Sequence, residues 1–138
     1  MEKYIGLDLG TTTVGIAVSD SLGIVHGREN CCFEPGNFKK AREHVIELIR
    51  KEQIFNVVCG WPLQIDGQEG KRCASTKRFM TDILKEIPDL RVFYQDELYS
   101  TIAAKERMDE MSMNYKKEKN LIDMFSAIII LESFLEEK

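Results

Sequence analysis

The chain has 138 residues, 43% hydrophobic and 30% charged, the balance of one folded domain over 1–138 rather than of a disordered chain. Its longest apolar run, Ser126 to Leu131, falls well short of the about 20 residues a membrane-spanning helix needs, and MEKYIGLDLG lacks the apolar stretch of an export leader, so a cytoplasmic protein without membrane contact is expected. The net charge of −4 argues against nucleic-acid binding by bulk charge alone, although bound divalent cations would reverse the sign at a site.

Tyr4 to Leu9 is apolar and alternates weakly, which predicts a first strand. Gly10 and three threonines make a tight turn into a β-branched strand from Val14 to Val18, hairpin-paired to the first. Ile24 to Phe33 predicts a third strand, broken by Pro35-Gly36-Asn37. Phe38 to Glu52 carries Phe38, Ala41, Val45, Ile46, Leu48 and Ile49 at helical spacing. Val57-Val58-Cys59 predicts a short buried strand ended by Gly60-Trp61-Pro62, and a loop runs through Asp66-Gly67 to Gly70. Arg72 to Ile87 predicts a helix stopped by Pro88, and Arg91 to Gln95 a strand. Ser100 is placed to cap a helix through Ala103, Ala104 and Met108, and Leu121 to Leu135 predicts the last helix. Hairpins first and β-α-β crossovers later predict an α/β fold. Its mixed sheet has three antiparallel N-terminal strands followed by parallel ones, with helices on both faces. Chemistry in such sheets sits at the carboxyl ends of the parallel strands.

Cys31, Cys32, Cys59 and Cys73 form no C-x-x-C pair and have no histidine cluster beside them. They read as reduced thiols rather than a zinc site. His26 and His44 lie far apart and read as structural residues without partners, and Asp20 and Asp66 read as turn residues.

Three carboxylates stand out. Asp8 interrupts an apolar strand, where Asp is disfavoured; a solvated side chain or a cap on the Gly10 turn is the plainer reading. Asp96 and Glu97 follow a crossover strand, where a loop would also accept acids. Asp123 shares a helix face with Ala127 and Ile130, so it needs a partner if buried. That partner is either a metal ion or Lys119, four residues earlier. Together Asp8, Glu97 and Asp123 suit Mg2+ or Mn2+, as a pair of ions, for phosphodiester hydrolysis. Lys71, Arg72, Lys77 and Arg78 crowd the start of the second helix beside the glycine loop. They and Lys119 are the candidate phosphate contacts, although basic pairs are commonly solvated helix faces.

The stretch IGLDLGTTTVGIAVSD resembles the opening of the YqgF, or RuvX-type, family of Holliday junction resolvases and pre-16S rRNA nucleases. VVCGWPLQIDGQEGKRCA is similar to that family's central loop, QDELYST to its acidic strand-end motif, and KNLIDMFSA to its final K-x-x-x-D helix. The resemblance covers nearly the whole chain in the family's order. It implies an RNase H-like fold, metal ligation and catalysis by Asp8, Glu97 and Asp123, and endonucleolytic cleavage of structured RNA or branched DNA, with maturation of the 16S rRNA end as the cellular role. Two departures stand out: Thr13 and Leu98 replace family arginines, with Tyr99 in place of a leucine and Ser126-Ala127 where two alanines are usual. Each lost arginine removes a fixed donor fork for phosphate. Two other classes stay open. G-x-D-x-G-T-T also resembles the first phosphate loop of the heat-shock-chaperone, actin and sugar-kinase ATPases, whose second phosphate loop and adenosine motif are not seen here. A non-catalytic nucleic-acid or ribosome-binding module is the other. The oligomeric state, monomer or homodimer, is not readable from these residues.

Overall fold

The computed structural model describes residues 1–63, 67–97, 100–111, 113 and 121–138. Asp66, Leu98, Tyr99 and Lys119, singled out above, lie outside the described residues. The elements in chain order are β1 (Ile5–Leu9), β2 (Thr13–Ser19), β3 (Val25–Cys32), α1 (Phe38–Glu52), β4 (Asn56–Trp61), α2 (Lys71–Glu86), β5 (Arg91–Asp96), α3 (Ser100–Glu110) and α4 (Ile122–Glu136). The sheet order is β3-β2-β1-β4-β5. β1 and β2, and β2 and β3, pair antiparallel, while β4 runs parallel to both β1 and β5. This is the mixed sheet expected from the order of elements.

The two faces of the sheet carry separate cores. Ile5, Leu7 and Leu9 of β1 point into one, with Val45 and Ile49 of α1 and Phe79, Met80 and Ile83 of α2. On the other, Ala17 and Val58 meet Ala104 and Met108 of α3 and Phe125, Ile130 and Leu131 of α4. Because strand side chains alternate, the residues of β1 between those three leucine and isoleucine positions, Gly6 and Asp8, face the α3/α4 side. Gly6 lets α4 approach: a Cβ there would stand 2.9 Å from the Leu131 Cβ. The helix α1 begins and ends where its apolar spacing predicts, closed by Gln53 in the left-handed conformation at φ 55°.

Three local expectations need correction. β4 does not stop at Cys59; it runs through Gly60 and Trp61, which pair with Gln95 and Asp96 of β5. Pairing along a neighbouring strand outweighs the breaking tendency of a Gly-x-Pro segment. Ser100 does not precede α3 as a cap but is its first residue, buried, with its N–H donating to the Glu97 carbonyl at 2.9 Å. The two histidines do have partners: His26 Nε2 lies 2.9 Å from Asp20 Oδ2, and His44 Nε2 lies 2.8 Å from Glu29 Oε1. Asp20 is the turn residue expected, accepting N–H bonds from Leu22 and Ile24 at 2.9 and 3.0 Å. All four cysteines are free thiols, and burial holds Cys59 well above the usual thiol range.

Candidate active site

Asp8 is buried, 6% exposed, in the central strand of the sheet, which rules out the solvated reading. The Gly10 turn closes on its own backbone, with the Gly10 N–H donating to the Thr13 carbonyl at 2.7 Å. Two glycines then make room around Asp8. Gly15 pairs with Asp8 across β1 and β2, and a Cβ at Gly15 would stand 2.0 Å from the Asp123 carbonyl oxygen. The missing side chain therefore lets the first turn of α4 settle on the sheet beside Asp8. On the other flank, a Cβ at Gly60 of β4 would stand 2.4 Å from Glu97 Oε2. The Glu97 side chain occupies the space that Gly60 leaves empty. Gly15 was not singled out in the sequence and Gly60 was read as ending its strand, although glycine inside a strand marks a close approach.

Asp8, Glu97 and Asp123 line one polar cleft of about 200 Å3 with Arg72, Ser100, Thr101, Pro62 and Leu63. Asp123 sits in the first turn of α4, where the helix N-terminus favours a negative charge. Its Oδ2 accepts a bond from the Thr13 hydroxyl, so a residue at the start of β2 holds the acid of α4. Of the four described basic residues singled out in the sequence, Arg72 lines this cleft, and its guanidinium donates to the Leu9 carbonyl at 2.9 Å. Arg78 instead borders a groove on the outer face with Phe38, Arg42 and Asp82, and Lys71 and Lys77 are exposed. Helical geometry explains this split, since at 3.6 residues per turn Arg72 points about 100° or more away from Lys71, Lys77 and Arg78.

The electrostatics follow from crowding acids in a dry place. Burial first, then the charge of Glu97, a hydrogen bond with Glu97 and the charge of Asp123 push Asp8 well above the usual carboxylate range; Arg72 opposes them. Burial also raises Glu97, opposed by its hydrogen bond from Asp8 and by Arg72. Within the pair, burial and the neighbouring charges raise Asp8, and the hydrogen bond between them favours a proton on Asp8 over Glu97. Glu97 Oε2 is buried and has no hydrogen-bond partner among the described residues.

Among the described residues, no three His, Cys, Asp or Glu side chains are already arranged around one metal-sized point. Asp8 is engaged with Glu97, and Asp123 with Thr13. The donor set nevertheless fits a hard divalent cation. It is all oxygen and anionic, and includes a buried carboxylate oxygen with no hydrogen-bond partner among the described residues.

The mixed sheet β3-β2-β1-β4-β5 with helices on its faces is of the RNase H-like class, and Asp8, Glu97 and Asp123 lie together near the carboxyl ends of β1 and β5 and the start of α4. Solved structures agree. The chain is similar to Thermus thermophilus RuvC in complex with a Holliday junction substrate, with a TM-score of 0.62 and 15% identity over 99% of this chain and 96% of that one. It is also similar to the yeast mitochondrial Holliday junction resolvase, with a TM-score of 0.53 and 10% identity over 97% and 78%. Residues 2–137 match the RuvX family, described as Holliday junction resolvase, and the chain belongs to that family. Among its relatives, proteins named "Putative pre-16S rRNA nuclease" from Geobacillus sp. (strain WCH70) and Staphylococcus carnosus (strain TM300) are 34% and 33% identical to it. They align over 99% and 97% of this chain and 99% and 95% of their own.

Proposed function

We propose that this chain is a divalent-metal-dependent endonuclease acting on structured nucleic acid, with the end of precursor 16S rRNA as its substrate. The observation that carries this reading is the convergence of Asp8, Glu97 and Asp123 on one cleft, with a buried Glu97 oxygen that has no partner among the described residues. These three side chains would hold Mg2+ or Mn2+, as a pair of ions. When bound, such ions supply an activated water and stabilise the leaving oxygen of a phosphodiester. The chain's own contribution is to orient and to neutralise. Metal held by Asp8 would compete with a proton on the Asp8–Glu97 pair, which would couple metal uptake to pH. Asp123, held by the Thr13 hydroxyl, would supply the third carboxylate. Arg72, fixed by the Leu9 carbonyl, keeps further N–H donors for a substrate phosphate. The relatives are bacterial and carry the rRNA name, so the cytoplasm is the compartment we carry over to this chain.

The test is incubation of labelled RNA spanning the 16S end, and of a four-way DNA junction, with Mn2+ or with chelator. Mn2+-dependent cutting of the RNA is expected. It should be lost in Asp123→Asn, an isosteric change that removes the charge a hard cation needs, while circular dichroism still reports the parent fold. Cutting that survives chelation, or survives in Asp123→Asn, refutes the assignment. Cutting of the junction but not the RNA transfers the reading to junction resolution, the activity in the family's description.

A further inference from the structure

The candidate cleft is lined by donors as well as by acids. Arg72 comes from the first turn of α2, and Ser100 and Thr101 are the first two residues of α3. The carboxylates form a row across the sheet. The Asp123 backbone rests on Gly15 of β2, Asp8 is on the central strand, and Glu97 follows β5. Ser100 and Thr101 come soon after Glu97 in the chain, so α3 brings its N-terminal end to the β5 side of that row. The first N–H groups of a helix have no acceptor within it. Here the Ser100 N–H is taken by the Glu97 carbonyl at 2.9 Å, and the first turn of α3 holds no acid to engage those that follow. Ser100 is only 7% exposed and lines the cleft wall. Among the described residues its hydroxyl has no hydrogen-bond partner. A buried hydroxyl without a bond is unfavourable, and a helix N-terminus favours an anion. Both features call for the oxygen of a ligand.

Resting on the nuclease reading above, we propose that Ser100, Thr101 and the N-terminal turn of α3 form the phosphate subsite of this cleft, binding a non-bridging oxygen of the phosphodiester that lies at Asp8, Glu97 and Asp123. Arg72 reaches the same cleft from α2 as a cation, whereas α3 supplies neutral donors. The division of labour follows from charge. Three acids alone repel a phosphate, so attraction comes from bound cations and Arg72. The hydroxyls and N–H groups of α3 fix the direction in which the ester presents its bonds. Contacts of this kind read the backbone and not the bases, so the subsite accepts any sequence.

Neutral donors and cations leave different traces. Contacts from Lys and Arg release counterions and set the salt dependence of binding; loss of a hydroxyl contact lowers affinity at an unchanged slope. Binding of the full chain to a fluorescent RNA spanning the 16S end is measured by anisotropy at several salt concentrations, with Ca2+ in place of Mn2+. Thr101→Val removes an exposed hydroxyl at nearly constant shape. It should weaken binding about tenfold, the effect of losing one hydrogen bond to a charged group, with the slope of the parent. Ser100→Ala should do the same, and Thr101→Ser, which keeps the hydroxyl, should bind as the parent does. Thermal melting checks that each variant folds, and Thr101→Ala stands in for a Val variant that does not. A Val variant as tight as the parent, a Ser variant as weak as Val, a slope that falls as it does in Arg72→Ala, or no binding by the parent overturns the subsite. Adding Mn2+ separates this from the nuclease reading. RNA left uncut by a protein whose binding still depends on the Thr101 hydroxyl refutes the nuclease alone.

Discussion

Replacing Asp8 with Asn should make the metal-free protein more stable while removing its activity. The folded state raises the pKa of Asp8 above that of the unfolded chain, chiefly through burial and then through Glu97. A raised acid binds its proton more tightly when folded, so stability falls as pH climbs from the unfolded pKa of about 3.9 towards the folded one, and stays low above it. Asn carries no such penalty, and its amide can donate to Glu97 where the Asp8 carboxyl now does. Relieving one poorly compensated buried polar group is worth about 1–3 kcal/mol. In a chain of this size that corresponds to a rise in Tm of about 3–10 °C. The assay is thermal denaturation in chelator from pH 4 to 8: the gain of the variant should be small near pH 4 and grow as the pH rises. Mn2+ at a hundred times its Kd should stabilise the parent by about 2.7 kcal/mol and the variant by far less. A variant that melts below the parent at pH 7 in chelator would refute the reasoning, because the Asp8 charge would then be well satisfied without metal.

The two glycines beside Asp8 should respond differently to Ala. At Gly15 the obstruction is the rigid Asp123 backbone 2.0 Å away, so α4 must lift, and urea denaturation should show a loss of about 3 kcal/mol. At Gly60 the nearest atom is the mobile end of Glu97 at 2.4 Å. Stability should fall by only about 1 kcal/mol, while cleavage falls about a hundredfold as the carboxylate is displaced. Equal effects at both positions would contradict the packing described. Arg72→Ala should weaken binding to RNA of any sequence and reduce the log–log salt slope by about one, whereas Lys77→Ala, outside the cleft, should change the slope less; equilibrium binding at several salt concentrations distinguishes them.

What depends on a few neighbouring residues was legible in the sequence. The apolar spacing from Phe38 to Glu52 predicts α1 with its observed ends, since a helix's bonds and its buried stripe are local. An acid between Leu7 and Leu9, and another among the apolar residues of α4, stand out because burying a carboxylate without a partner is unfavourable. What those acids meet was decided by the tertiary structure. Thr13 and Asp123 are 110 positions apart, and nothing in their spacing selects that pair from the other hydroxyls and acids of the chain. Register does so, by setting Gly15 beside Asp8 and leaving a gap that the first turn of α4 fills. The choice of Arg72 over Lys71, Lys77 and Arg78 is likewise a matter of helix rotation, which follows from burying Cys73, Thr76, Phe79, Met80 and Ile83. Composition says that α2 starts basic; the packing of its opposite face decides which of those charges reaches the cleft.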